Sequence, residues 1–265
     1  MRLGSLVCAV LAACACAASA SASPGVQYGI QDDAWLLAGP GTLDQRLNQL
    51  QALGVTTVRF SIHWDQVAPR QPVRALAAND PAYQWGGVDA VLDGLHARGI
   101  QPLVTLYGTP GWANGGAKPN VAPTSATAFA DFAYVVAKRY PFVRDWTIWS
   151  EPNQRLSLLT PSPALYVSRL LNPAYAAIHR ANPNALVAGG VTAPRGNSGG
   201  LGPLAFLAGM KAAHAKLDAY AHNPYPTHPS VESPFAGACK TCDVISMAPL
   251  DGAPEGNVAD AGPAG

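Results

Sequence analysis

Six strand-like runs alternate with ten- to fifteen-residue helical stretches, which predicts an α/β fold of the (β/α)8 TIM-barrel type with about six βα units present. Two further observations support a parallel sheet closed toward a barrel rather than a doubly wound one. No G-x-G-x-x-G fingerprint follows the first strand, and every crossover carries a helix-length segment. The Gly189-Gly190 pair lies at a strand and lacks that spacing, so it reads as packing or as a close approach to ligand.

Residues 25–33 read as the first strand, and residues 42–53 as a helix with Leu43, Leu47, Leu50 and Leu53 on one stripe before Gly54. Residues 56–64 are β-branched and aromatic and form the second strand. A helix over residues 87–98 ends at Gly99, and residues 101–107 make the third strand before a Gly/Pro/Trp loop at residues 109–112. The pattern repeats with a helix at 125–139, a strand running from 143 to Glu151, and a helix at 164–180 closed by Asn182-Pro183. Residues 185–191 are the fifth strand, 204–216 a helix, and 218–226 the sixth strand. Residues 25–250 are therefore assigned to one domain, within which residues 241–250 can begin a further helix, and residues 251–265 have the Gly/Pro/Ala composition of a tail. A full barrel takes about 250 residues. No seventh or eighth strand is expected here, which leaves the first and sixth strands as open edges through which copies of the chain would associate.

The chain has 265 residues, 49% of them hydrophobic and 12% charged, with a net charge of +1. That balance supports one large core and gives no electrostatic reason to expect a nucleic acid or an anionic membrane as partner. A neutral polar ligand suits it. Residues 1–22 carry Arg2, a short apolar run and small-residue cleavage sites, the pattern of a secretion signal. Leu11-Ala12-Ala13-Cys14 resembles a lipobox, so a lipid anchor at Cys14 is the alternative to secretion. Of five cysteines only Cys239 and Cys242 lie beyond that segment, and in an oxidising compartment they read as a small loop disulfide. A metal site would need more ligands at suitable spacing, and no cofactor motif is visible, so neither is expected.

The candidate chemistry centres on Trp149-Ser150-Glu151-Pro152-Asn153. Glu151 is one of three glutamates, with Glu232 and Glu255, and the only one that follows an apolar strand able to hold it still. The plainer alternative is a helix-capping carboxylate. Asp32, Asp33 and Asp65 read first as loop or cap carboxylates, with sugar-hydroxyl binding as the alternative. Trp64, Trp112 and Tyr107 can stack on sugar rings or fill the core. Asn153 can touch substrate or shape the turn after Pro152.

Trp149-Ser150-Glu151-Pro152-Asn153 resembles the acid/base motif W-N-E-P-N of clan A glycoside hydrolases. Val58-Arg59-Phe60 resembles the clan's active-site arginine strand, and His222 with Tyr225 its His/Tyr strand. The likeness covers residues 25–226 and is nearest to the cellulase-type family 5 and the β-xylosidase-type family 39. It implies a retaining enzyme acting on an oligo- or polysaccharide, which needs two carboxyl groups about 5 Å apart, one an acid and one a nucleophile. Glu151 is then the acid/base, with Arg59, Trp64, Trp112, Ser150, Asn153, His222 and Tyr225 around the sugar. The clan's nucleophile ends the seventh strand, and no residue here takes that place, Glu232 and Glu255 being flanked by Pro, Ser, Gly or Ala. Ser150 stands where the clan has Asn, so its contact to the sugar 2-hydroxyl is weaker or passes through water. Low activity, or a non-catalytic carbohydrate-binding protein on a degenerate barrel, is the expectation that follows.

Overall fold

Apolar β-branched runs pair as strands because each buries both faces, one against the barrel interior and one against the helix layer. A computed structural model describes residues 29–196, 199–224 and, for the backbone, 246–249. Within it β1 (Gly29–Ile30) precedes α1 (Asp33–Ala38), a helix absent from the sequence reading, whose first strand ran to residue 33. Asp32 starts it, accepting a hydrogen bond from the Trp35 N–H at 2.9 Å. The next helix, α2 (Leu43–Ala52), opens with a reciprocal capping box between Thr42 and Gln45. It leads to β2 (Thr57–His63), the short α3 (Trp64–Val67) and α4 (Gly86–His96). Then come β3 (Gln101–Tyr107), α5 (Gly111–Asn114), α6 (Ala126–Arg139) and β4 (Asp145–Ile148). A further helix, α7 (Pro163–Tyr166), runs through a wider turn at Val167–Leu171 into α8 (Asn172–Ala181), followed by β5 (Leu186–Thr192), α9 (Pro203–Ala212) and β6 (Ala219–His222).

Strands β1 to β6 are all parallel and neighbours in chain order, as six successive βα units require. β7 (Ser246–Pro249) pairs antiparallel with β6, from Ala219 opposite Pro249 to His222 opposite Ser246. This corrects two expectations: residues 246–249 are strand where a helix was anticipated, and the β6 edge has a partner. A strand returning along β6 satisfies backbone donors and acceptors that would otherwise face water. It runs opposite to the parallel seventh strand of a barrel, so its first residue, Ser246, and not its last lies level with His222 at the C-terminal end of β6.

The layer between sheet and helices holds the bulk of the apolar core, with Phe129, Phe132, Val136, Leu170, Leu171 and Phe206 from the helices fully buried. Trp64 belongs to this layer. It is 1% exposed, stacks on Phe132 at 5.4 Å between centroids and meets Phe129 and the Trp112 edge. The expectation that Trp64 touches substrate is therefore corrected: its whole ring is filled around by protein.

Candidate active site

β4 stops at Ile148 and the next three residues turn out of the sheet. Trp149 and Glu151 both adopt left-handed backbone, with φ of 68° and 47°. Such angles cost a side-chain-bearing residue about 1–2 kcal/mol each and persist where the surroundings hold them. Here the holding is explicit. The Trp149 N–H donates to the Leu106 carbonyl at 2.8 Å and its indole N–H to the Ser157 carbonyl at 2.9 Å, while the buried ring packs on Tyr107. The Glu151 N–H donates across to the Val191 carbonyl at 2.9 Å. Tyr166, fully buried, bridges the strands by donating to the Ile148 carbonyl at 2.7 Å and accepting from the Gly190 N–H at 3.1 Å. Trp149 thus acts as an anchor whose burial aims the glutamate two residues later.

The carboxylate of Glu151 meets the end of β6. Asn223, 2% exposed, donates its amide to Glu151 Oε1 at 3.0 Å, and its own N–H donates to the Thr192 carbonyl at 2.9 Å. Sequence reasoning placed Asn223 within the sixth strand, residues 218–226, and gave it no role. The available signal was its place one residue beyond His222 at a strand end. Beside it the Thr192 hydroxyl lies 2.6 Å from the Tyr220 hydroxyl and 2.9 Å from His222 Nδ1. Burial holds the His222 pKa below the ordinary imidazole value, opposed by its hydrogen bond at Thr192 and by the negative charge of Glu151. Burial likewise raises the Tyr220 phenol, so both groups stay neutral near pH 7 and offer hydrogen bonds rather than charge.

On the other side of the sheet interior a second polar row crosses three strands. Arg59, 3% exposed, donates from Nε to Thr105 Oγ1 and from Nη1 to Gln31 Oε1, both at 2.8 Å. Thr105 in turn lies 2.6 Å from the Thr147 hydroxyl. The register explains the row, since Thr105 pairs with Thr147 and sits beside the β2 strand that carries Arg59. Charged guanidinium is thereby kept inside the barrel with partners on each side, as burial of a cation demands.

Glu151 lines a cleft of about 940 Å³ between the loops that follow β3, β4 and β5. Among its lining residues Glu151 is the only carboxylate, and the others that carry charge are Lys118, Arg155 and Arg195. Of the two sequence readings of Asn153, the structure shows the one in which it shapes the turn after Pro152. It is fully buried, donating to the Ala193 and Leu201 carbonyls at 3.1 and 2.9 Å and accepting from the Ala193 N–H at 2.8 Å. Its amide is consumed in fastening the loop after β5 to the Glu151 turn. Ser150 is half-buried and makes no side-chain hydrogen bond among the described residues. Trp112 stands outside the cleft lining, its ring edge on Trp64 and its indole N–H on the Ala68 carbonyl at 2.8 Å. Tyr107 donates to the Ser157 carbonyl at 3.2 Å and braces Trp149. Asp33 accepts from the Ser61 N–H at 3.4 Å, and Asp65 lies 3.7 Å from His63 Nδ1. Tyr225, Glu232, Cys239, Cys242, Glu255 and the segment 1–22 lie outside the described residues. Among the described residues no three His, Cys, Asp or Glu side chains cluster to hold a metal ion, and no helix is long and apolar enough to cross a membrane.

Known proteins share this fold. The sequence profile of Glycosyl hydrolase family 1 matches residues 42–188, more than half of the chain. The Oryza sativa subsp. japonica protein named "Probable inactive beta-glucosidase 14" is 30% identical over 115 residues, which are 39% of this chain and 20% of that protein. A family 39 glycoside hydrolase of Bacteroides cellulosilyticus WH2 superposes with a TM-score of 0.53 at 20% identity, over 76% of this chain and 39% of its own. A glucosidase of Croceicoccus marinus superposes with a TM-score of 0.56 at 16% identity, over 73% of this chain and 42% of its own. Identity this low speaks for the fold, a TIM-barrel glycoside hydrolase architecture of which these residues make the parallel six-stranded part. The chain spans 20% of that curated relative and about two-fifths of those structures. The clan resemblance of the Glu151 motif holds, with family 1 in place of the cellulase type: this chain belongs to glycosyl hydrolase family 1.

Proposed function

We propose that this protein is a retaining glycoside hydrolase module acting on a carbohydrate, with Glu151 as the general acid/base. The observation that carries the reading is the fixed presentation of Glu151: a strained turn and the Asn223 amide hold its carboxylate at a parallel-strand end, facing a cleft. Protonating a leaving oxygen demands a carboxyl held within hydrogen-bond reach of it, and a side chain so oriented loses little freedom on binding. Arg59 and the neutral pair His222 and Tyr220 supply donors for hydroxyls and for the charge that develops at the anomeric centre.

Retention also needs a second carboxylate about 5 Å away. Since Glu151 is the only carboxylate among the cleft residues, these residues by themselves bind a sugar better than they hydrolyse a glycoside. A binding role is the second reading, and the name of the inactive rice relative favours it. Binding of a basic, sugar-shaped amine by calorimetry tests the site without requiring turnover. We expect Glu151→Gln to weaken it by about tenfold, the loss of one charge-assisted hydrogen bond. Equal affinity in the variant would remove Glu151 from the site. We also propose that the protein is exported through residues 1–22, either released or held by a lipid at Cys14; the mass of the mature N-terminus separates the two.

A further inference from the structure

The cleft beside Glu151 is unlike a subsite built for a sugar. A ring with a hydroxyl on nearly every carbon calls for many converging polar side chains, yet the wall here includes Val121, Leu156, Leu159 and Pro194. Leu156 is 91% exposed and Leu159 44% exposed, a concentration of apolar surface at the mouth of an otherwise polar strand-end region. Around that wall stand Lys118, Arg155 and Arg195, and none of the three forms an ion pair among the described residues. Against the one carboxylate of Glu151 they give the cleft an excess of positive charge, although the whole chain carries only +1.

Two of these cations rise from fixed backbone. The Lys118 carbonyl accepts from the Asn114 amide and from the Val121 N–H, each at 3.0 Å. The Arg195 carbonyl accepts from the Gln154 amide. The opposite rim is tied down as well, with the Asn120 amide on the Leu156 carbonyl at 3.1 Å and the Leu159 N–H on the Asn120 carbonyl at 2.8 Å. The cleft floor is thus preorganised, while among the described residues the charged heads of Lys118, Arg155 and Arg195 make no ion pair.

We propose that this cleft is a leaving-group subsite for a carboxylate on an apolar body, an aromatic acid joined to the sugar through its hydroxyl. The assignment to the leaving group rests on the reading of Glu151 as acid/base, because the acid contacts the oxygen that departs with that group. The carboxylate faces the cations and the ring lies on the leucines, which places the phenolic oxygen toward Glu151. During cleavage that oxygen takes the proton of the Glu151 carboxyl as its bond to the anomeric carbon breaks, water adds to that carbon and returns a proton to the Glu151 carboxylate, and the aromatic acid leaves with its own carboxylate unchanged.

The test is equilibrium binding of 4-hydroxybenzoate, 4-hydroxybenzamide, glucuronate and glucose to the purified chain at low ionic strength. We expect the benzoate to bind about tenfold more tightly than the uncharged amide, with the gap closing as salt rises to about 0.5 M. Arg155→Ala and Arg195→Ala each reduce the preference about threefold, as befits exposed charges. Arg70→Ala, remote from the cleft, leaves it intact, and Glu151→Gln strengthens benzoate binding by removing a negative neighbour. Equal affinity for acid and amide, absence of binding, or a glucuronate affinity that matches benzoate overturns the proposal. If the preference fails while the basic sugar amine still binds in a Glu151-dependent way, the glycosidase reading stands and the subsite falls. If the benzoate preference persists but the amine binds without regard to Glu151, the leaving-group assignment falls with the acid/base reading.

Discussion

Strands β2 and β3 pair through seven consecutive residues from Thr57 opposite Gln101 to His63 opposite Tyr107. Between β5 and β6 only four pairs form, and the register shifts between Gly190 and Thr192. Both pairs lie in one parallel sheet and cross to similar helices. The uninterrupted ladder buries Val58, Phe60, Ile62, Val104 and Leu106, and its polar members Arg59 and Thr105 bond to each other. The interrupted one frees the Val191 carbonyl for the Glu151 N–H and sends Thr192 toward Tyr220 and His222. A bulge re-aims side chains at the expense of pairing, so regularity serves stability here and irregularity serves the site.

Removing the core under the regular half is the strongest way to probe that contrast. Trp64→Ala leaves a cavity among Phe129, Phe132 and Trp112 and should cost about 3–5 kcal/mol in urea denaturation. A fall in affinity for the basic sugar amine without that loss of stability would return Trp64 to the substrate and break the division between the halves.

The irregular half yields to a single methyl group. A Cβ at Gly190 would lie 2.4 Å from the Tyr220 ring, and φ there is +89°, so Gly190→Ala carries both a clash and backbone strain. We expect a loss of roughly 2 kcal/mol, with weaker binding of the amine because Thr192 and Asn223 follow the same strands. Adding Tyr220→Ala should recover the steric part and leave the strain. If the double variant is no more stable than Gly190→Ala alone, the ring contact is not what fixes the bulge.

How much was legible follows the same divide. Strand β3 was read to the residue, and β2 to within one residue at each end, because their β-branched and aromatic runs are continuous. β4 was read too long by two residues at its start and three at its end, the end because Trp149 looks like a strand residue and only its left-handed turn and burial show otherwise. Trp64 and Asn153 were assigned to substrate for a related reason. A tryptophan at a strand end and an asparagine in a turn carry the same letters whether they meet a sugar or the protein. Of the two readings of Gly189 and Gly190, packing and a close approach to ligand, the structure shows packing, against Leu171 and Tyr220. Asn223 escaped notice because its role depends on the ends of β4 and β6 bringing residues 72 apart together, which no local pattern encodes.

Acid separates the two halves by degree and gives the finest test. Beneath β3 the carboxylate of Asp89 takes two bonds from Arg139, at 2.7 and 2.6 Å, and one from the Tyr140 hydroxyl at 2.7 Å. The Arg139 bonds, with help from Tyr140, hold the Asp89 pKa below the usual carboxylate value against the effect of burial. A depressed carboxylate binds fewer protons folded than unfolded, so its contribution is complete above an unfolded pKa of about 3.9 and fades as pH falls toward the folded value. His222 has a folded pKa below its unfolded value of about 6.5, so the unfolded chain takes up its proton first and this contribution fades as pH drops below that point. Wild-type stability should therefore begin to decline just under pH 6.5 and fall again below pH 4. Asp89→Asn should cost about 1 kcal/mol at pH 7 and flatten the lower step, the pair being part-exposed, whereas His222→Gln should flatten the upper one and leave the lower untouched. Denaturation midpoints measured from pH 3 to 8 read both. An unchanged upper step in His222→Gln would mean that the group titrating there lies elsewhere, and that the site end of the sheet is no more sensitive to acid than the regular end.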